Sequence, residues 1–230
     1  MRDFGPRTVT AAVYAGVVLV AVFAPQLVFL ALVLVAAIIG STELLRLQTG
    51  APSVVLAVVF FVGLACLALL RQFGATAARP GVPPDVPVWL LLVVLGTWAA
   101  DVVGYLVGSV AGRHALAPRL SPGKTWEGTI ASFAAAALTG YAVAAAFGLP
   151  RVPSLIALIG IGPVGLAGDL LESSVKRRAG VKDSGRVLPG HGGILDRVDS
   201  LAAVAIFVTL VLIAWGSSQL GSEGGLYERF

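Results

Sequence analysis

Residues 8–42 read TVTAAVYAGVVLVAVFAPQLVFLALVLVAAIIGST and contain no charged side chain. A helix needs about 20 apolar residues to cross the hydrocarbon core of a bilayer, and somewhat fewer where flanking groups snorkel. The stretch is long enough for two crossings, and Ala24-Pro25-Gln26 divides it with a helix-breaking residue. A tight hairpin of two membrane helices is therefore predicted. Arg2 and Arg7 precede the first run as in a secretory signal, but no A-x-A-like site closes it and a second run follows at once. The hairpin is expected to be retained.

The same criterion, carried outward, predicts seven spans, near 8–24, 26–42, 53–70, 87–110, 127–148, 153–171 and 200–217. With 57% apolar and 12% charged residues and a mean hydropathy of +0.93, the 230-residue chain is not an ordinary soluble domain. The expected fold class is all-α, a polytopic integral membrane protein forming a single membrane-embedded domain over residues 1–230. The one cysteine, Cys66, lies inside an apolar run, which excludes a disulfide framework and a thiolate metal site. The net charge of +4 comes from polar islands with few aromatics, so nucleic acid is not expected as a partner. Arg71, Arg79, Arg151 and Arg229 fall on one side of the predicted topology and the other twelve of the sixteen basic residues on the opposite side. By the positive-inside rule that second side faces the cytoplasm of a cell (inner) membrane.

The densest polar island is Gly168–Ser200, GDLLESSVKRRAGVKDSGRVLPGHGGILDRVDS. Asp169, Glu172, Ser173 and Lys176 are spaced i, i+3, i+4 and i+7 and share one face if the preceding apolar helix runs on. Lys176, Arg177, Arg178, Lys182, Arg186 and Arg197 supply cations among closely spaced glycines, a composition suited to phosphate. Asp196 and Asp199 follow His191, and carboxylates facing a basic, glycine-rich loop suggest a divalent metal on phosphates. Each part also has a plainer use. A basic loop between membrane helices marks the cytoplasmic face, and Asp196 with Asp199 suits a helix cap and a first-turn acid.

Two further polar features lie upstream. Asp101 sits well inside an apolar run, where a carboxylate should face the protein interior or a wet cavity. On the same helix Gly104, Gly108 and Gly112 recur every four residues, which suits close packing within the chain or, alternatively, a homodimer seam. Next comes Ser121-Pro122-Gly123-Lys124-Thr125-Trp126-Glu127-Gly128. Ser121, Lys124 and Thr125 offer anion donors near a helix start. The Walker spacing fails there, because Pro118 stands where a P-loop has glycine. Glu43, three residues before Arg46, reads as a helix-end ion pair.

Ser173-x-Val175-Lys176-Arg177, then Lys182-Asp183-x-Gly185, then Leu188-Pro189-x-His191-Gly192-Gly193-Ile194-x-Asp196-Arg197-Val198-Asp199, resembles the full signature of the phosphatidate cytidylyltransferases. Trp98, Asp101 and the run Ser121–Gly128 look like that family's second motif. The resemblance covers most of the chain outside the third span. It implies CTP and phosphatidic acid as substrates, CDP-diacylglycerol and pyrophosphate as products, and a lipid bilayer as the setting. It further implies Asp169 and Asp196 as Mg²⁺ ligands, with Asp199 and Asp101 ranked behind them. Lys176 is grouped with these acids at the reaction centre. Arg177, Lys182, Asp183, His191 and Arg197, with Ser121, Lys124 and Thr125, would hold substrate. The alternatives are a CTP-dependent polyprenol or phytol kinase and an anion transporter.

Overall fold

The computed structural model describes residues 4–73, 86–185, 187 and 192–222, with side chains described from residue 13 to residue 218. Seven helices are present among them: α1 (Phe4–Phe23), α2 (Gln26–Arg46), α3 (Ala51–Leu70), α4 (Val88–Ala111), α5 (Trp126–Phe147), α6 (Arg151–Arg178) and α7 (Leu195–Ser222). Six of them, α2 to α7, are long and apolar enough to cross a membrane. The chain is a mostly α-helical, multi-pass membrane protein, and α1 coincides with the first predicted span. One element lies outside that expectation. β1 (Ala115–Ala117) and β2 (Ser121–Thr125) form a small antiparallel hairpin between α4 and α5.

The turns follow from local chemistry. At the α1–α2 corner Pro25 ends one helix and precedes the next, and Arg71, at the end of α3, donates to Gln26 Oε1 at 2.7 Å and to the Ala24 carbonyl. The same guanidinium lies over the Phe29 ring, 5.6 Å from its centroid. Gly50, at φ 87°, turns the chain into α3, where the Ser53 hydroxyl donates to the Gly50 carbonyl and accepts from the Thr49 amide. At the start of α5 the Thr125 hydroxyl caps the helix by accepting from the Gly128 amide at 3.2 Å.

α6 is longer than predicted. Its 28 residues correspond to roughly 42 Å at the usual helical rise, more than a bilayer core needs, so its last turns carry Asp169, Glu172, Ser173 and Lys176 out of the apolar run on one face. α7 is the central helix and packs against α3, α4 and α6. Leu195, Ala202, Val204, Ala205 and Val208 on it are buried.

The glycine ridge of α4 serves packing within the chain. Gly104 and Gly108 face α5, and a Cβ added at Gly128 would stand 2.6 Å from the Gly104 carbonyl oxygen and 3.0 Å from the Gly108 Cα. Backbone meets backbone there, with no flexible side chain to yield. Gly128→Ala is therefore expected to destabilise the protein by about 1–3 kcal/mol through overpacking, read as a lowered unfolding midpoint in detergent. Gly16→Ala, where the added methyl meets open space, should leave the midpoint unchanged or slightly raised. Equal behaviour of the two variants would refute the close seam.

Candidate active site

The β-hairpin and the last turns of α6 bring the two polar islands together. They border a cavity of about 250 Å³ lined from α4 by Asp101, from the β2–α5 junction by Lys124 and Thr125, from α6 by Asp169 and from α7 by Ser200. Lys124 and Asp169 form an ion pair across it, and Asp169 Oδ1 also accepts from the Ser173 hydroxyl at 3.3 Å. Asp199 lies within electrostatic reach of Asp169, Glu172 and Asp101.

A second cluster stands behind this cavity. Lys176 Nζ bonds Glu172 Oε2 at 2.8 Å and Asp196 Oδ1 at 2.5 Å. Asp196 Oδ2 accepts from the Ser184 amide at 2.9 Å, the Ser184 hydroxyl at 2.8 Å and the Gly193 amide at 2.7 Å. Its Oδ2 is therefore engaged by the loop that precedes α7 and its Oδ1 by Lys176 of α6. Asp169 and Asp196, paired in the sequence expectation, are each bound to a different lysine. Among the described residues no three carboxylates, imidazoles or thiols converge as a protein-only metal cage.

The other expected residues are distributed around these two clusters. Arg177 ties α6 to the hairpin, its Nε donating to the Leu120 carbonyl at 3.2 Å and its Nη1 to the Val181 carbonyl at 3.1 Å. Ser121 lies in β2. Lys182 and Asp183 are exposed. Arg197 is half-buried, and its Nε has no hydrogen-bond partner among the described residues. His191 lies outside the described residues.

Glu43 corrects the sequence expectation. It makes no helix-end pair with Arg46, which is exposed; its own side chain is 1% exposed. Glu43 Oε1 accepts from the Ile194 amide at 3.0 Å, and Oε2 accepts from the Leu195 amide at 2.9 Å and lies 3.2 Å from the Ser184 hydroxyl. Ser184 has one hydroxyl proton, so it serves Glu43 or Asp196 but not both at once. The loop passes so close that a Cβ at Gly185 or Gly193 would run into the Glu43 carboxyl. A signal was present in the sequence. An acid in the last turn of a helix opposes the macrodipole, so it needs a partner elsewhere.

A family model of the cytidylyltransferases matches residues 54–215. The phosphatidate cytidylyltransferase of Brucella abortus biovar 1 (strain 9-941) is 49% identical over 126 residues, 54% of this chain and 45% of that protein. Those of Mycobacterium bovis and Pseudomonas aeruginosa are 39% identical over 149 residues and 44% over 133, covering 63% and 56% of this chain and 47% and 49% of theirs. The chain spans about half the length of the curated relatives it matches.

Removing the Glu43 carboxylate would orphan the buried Leu195 amide, worth about 1–3 kcal/mol when left unsatisfied, and the part-buried Ile194 amide before it. Glu43→Ala should therefore lower the unfolding midpoint strongly and speed proteolysis between residues 180 and 194. Arg46→Ala, at an exposed position, should stay within about 0.5 kcal/mol of wild type. If the two variants match, the ion-pair reading of Glu43 is restored.

Proposed function

This chain belongs to the cytidylyltransferase family, and on that premise we propose that it transfers CMP from CTP to phosphatidate, giving CDP-diacylglycerol and pyrophosphate. The observation that carries the proposal is the Lys124–Asp169 pair on the polar cavity. Each member is the natural partner of one half of a metal–nucleotide complex. An incoming phosphate competes for the lysine and so releases the carboxylate. The pair thus keeps both binding groups compensated until the ligand arrives.

Two repelling anions must meet in this reaction, and the chain's task is to neutralise and align them. Lys124, with the Thr125 and Ser200 hydroxyls beside it, is proposed to hold triphosphate oxygens. Arg197, whose Nε has no hydrogen-bond partner among the described residues, is proposed to take the lipid phosphate. An oxygen of phosphatidate then forms a bond to the α-phosphorus while the bond to the β-phosphate oxygen breaks. No general base is required, because a phosphate monoester is already anionic at neutral pH. Ser173 and Ser184 both donate to carboxylates without a base-and-orienter pair, so neither is arranged as a nucleophile.

Mg²⁺ is the proposed cofactor. It usually takes one or two carboxylates plus substrate phosphates. Asp169 and Asp101 fit that demand because both line the cavity. Asp196 fits it less well, since its oxygens already accept four hydrogen bonds. When bound, the ion would supply charge neutralisation on the phosphates. The arginine and lysine asymmetry supports a cavity opening to the cytoplasm, where CTP is available.

Purified protein given labelled CTP and phosphatidic acid should release pyrophosphate and label the lipid; formation of CDP instead would favour a lipid kinase. CTP made chiral with sulfur at the α-phosphorus should give inverted product, whereas retention would require a covalent intermediate. Asp169→Asn should lose at least about a hundredfold in turnover, roughly 2.7 kcal/mol of barrier, while still inserting and purifying. Near-normal turnover would remove it from the site. For orientation, Val187→Cys in a Cys66→Ala background should react with an impermeant maleimide only from the cytoplasmic side, and labelling of intact cells from outside would reverse the topology.

A further inference from the structure

A second cavity, of about 270 Å³, is enclosed by α1, α2, α3, α4 and the start of α7. Among the described residues its walls are apolar side chains apart from Tyr14. Nothing in the proposed nucleotide chemistry uses this space. Its relation to the polar cavity is fixed by α7. Ile194, Val198 and Leu201 face the apolar cavity, whereas Ser200 faces the polar one. At 100° per residue, Arg197 falls on the strip of α7 between those two faces. Its Nε is buried and has no hydrogen-bond partner among the described residues. Tyr14 carries the boundary across to α1, since Arg197, Asp199 and Asp101 are close enough to act on its hydroxyl. Tyr14 also packs on Trp98 of α4, with ring centroids 6.1 Å apart.

We propose that the apolar cavity holds one acyl chain of the lipid substrate, whose phosphate rests on Arg197 at the rim. This rests on the function proposed above and adds where the lipid lies. The volume falls just below the range of about 300–1,000 Å³ usual for small-molecule pockets, so one chain enters and the other stays in the bilayer. Bulk lipid would also fill an apolar space, but the phosphate monoester of phosphatidate offers the guanidinium a more highly charged acceptor than the choline-capped phosphodiester of bulk lipid. An anionic head satisfies the nitrogen and the cavity together. The strip of α7 between the cavities then sets the lipid phosphate beside the nucleotide site.

The test uses full-length protein in liposomes containing phosphatidate with a diazirine near the end of one acyl chain. After irradiation the label should map to Val33, Leu67 and Val94. Excess unlabelled phosphatidate should displace it and phosphatidylcholine should not. Label confined to the outward-facing Val110, Leu138 and Ile159 overturns the proposal, and so does equal displacement by both lipids. A second measurement uses Ala36→Phe, which narrows the cavity. It should raise KM for dioleoyl phosphatidate about tenfold relative to dihexanoyl phosphatidate; an unchanged ratio counts against the site. If that variant does not fold, the label map decides. Wild-type protein that labels as expected but transfers no CMP would leave the lipid site standing and overturn the proposed reaction.

Discussion

The start of α7 is held by two carboxylates, and the arrangement of both cavities depends on that hold. The first turn of any helix has amides without partners inside the helix, and at membrane depth water cannot be counted on to supply them. Here Glu43 reaches from α2 to the Ile194 and Leu195 amides, and Asp196 turns back to the Gly193 and Ser184 amides. Negative charge at a helix N-terminus is also favoured by the macrodipole. One contact thus satisfies the backbone, offsets the cost of burying Glu43 and fixes where α7 begins.

Burying acids at this density demands compensation, and it comes in matched form. Lys176 bridges Glu172 and Asp196, and Lys124 meets Asp169. The two pairings differ in exposure. Lys176 is 10% exposed in its side chain and holds acids that already bond the loop, whereas Lys124 and Asp169 are 28% and 27% exposed on the cavity. Breaking the first pairing would strand buried charge. Exchanging the second for ligand contacts strands nothing. Burial, not residue type, separates the two pairings.

Much of this was legible in the sequence, because its signals were local. Seven apolar runs give seven helices, and the i, i+3, i+4, i+7 spacing on α6 correctly places Asp169, Ser173, Glu172 and Lys176 on one face. The Gly104–Gly108–Gly112 ridge packs within the chain as one of its two readings required. What escaped was non-local. Glu43 is separated from its partners by 141 to 152 residues, and its neighbour Arg46 offered an ordinary local explanation. The hairpin escaped for another reason. Ser-Pro-Gly-Lys-Thr has little strand propensity, and β2 exists because it pairs with β1 and because the Trp126 amide donates to the His114 carbonyl at 2.9 Å.

α7 also shows how one helix can border a polar and an apolar cavity together. Residues 194 to 201 alternate between apolar and polar types within two turns, so neither character forms a continuous run, yet each forms a continuous stripe on the helix surface. A stripe can border a cavity, and two stripes on opposite sides can border two. The residue between the stripes is Arg197. Glu43 fixes the helix start at Leu195, and a shift of even one residue would turn every position by 100° and exchange the stripes. Register at the start of α7 therefore decides which residues border each cavity, and the buried acid that sets it lies outside the 54–215 region on which family membership rests.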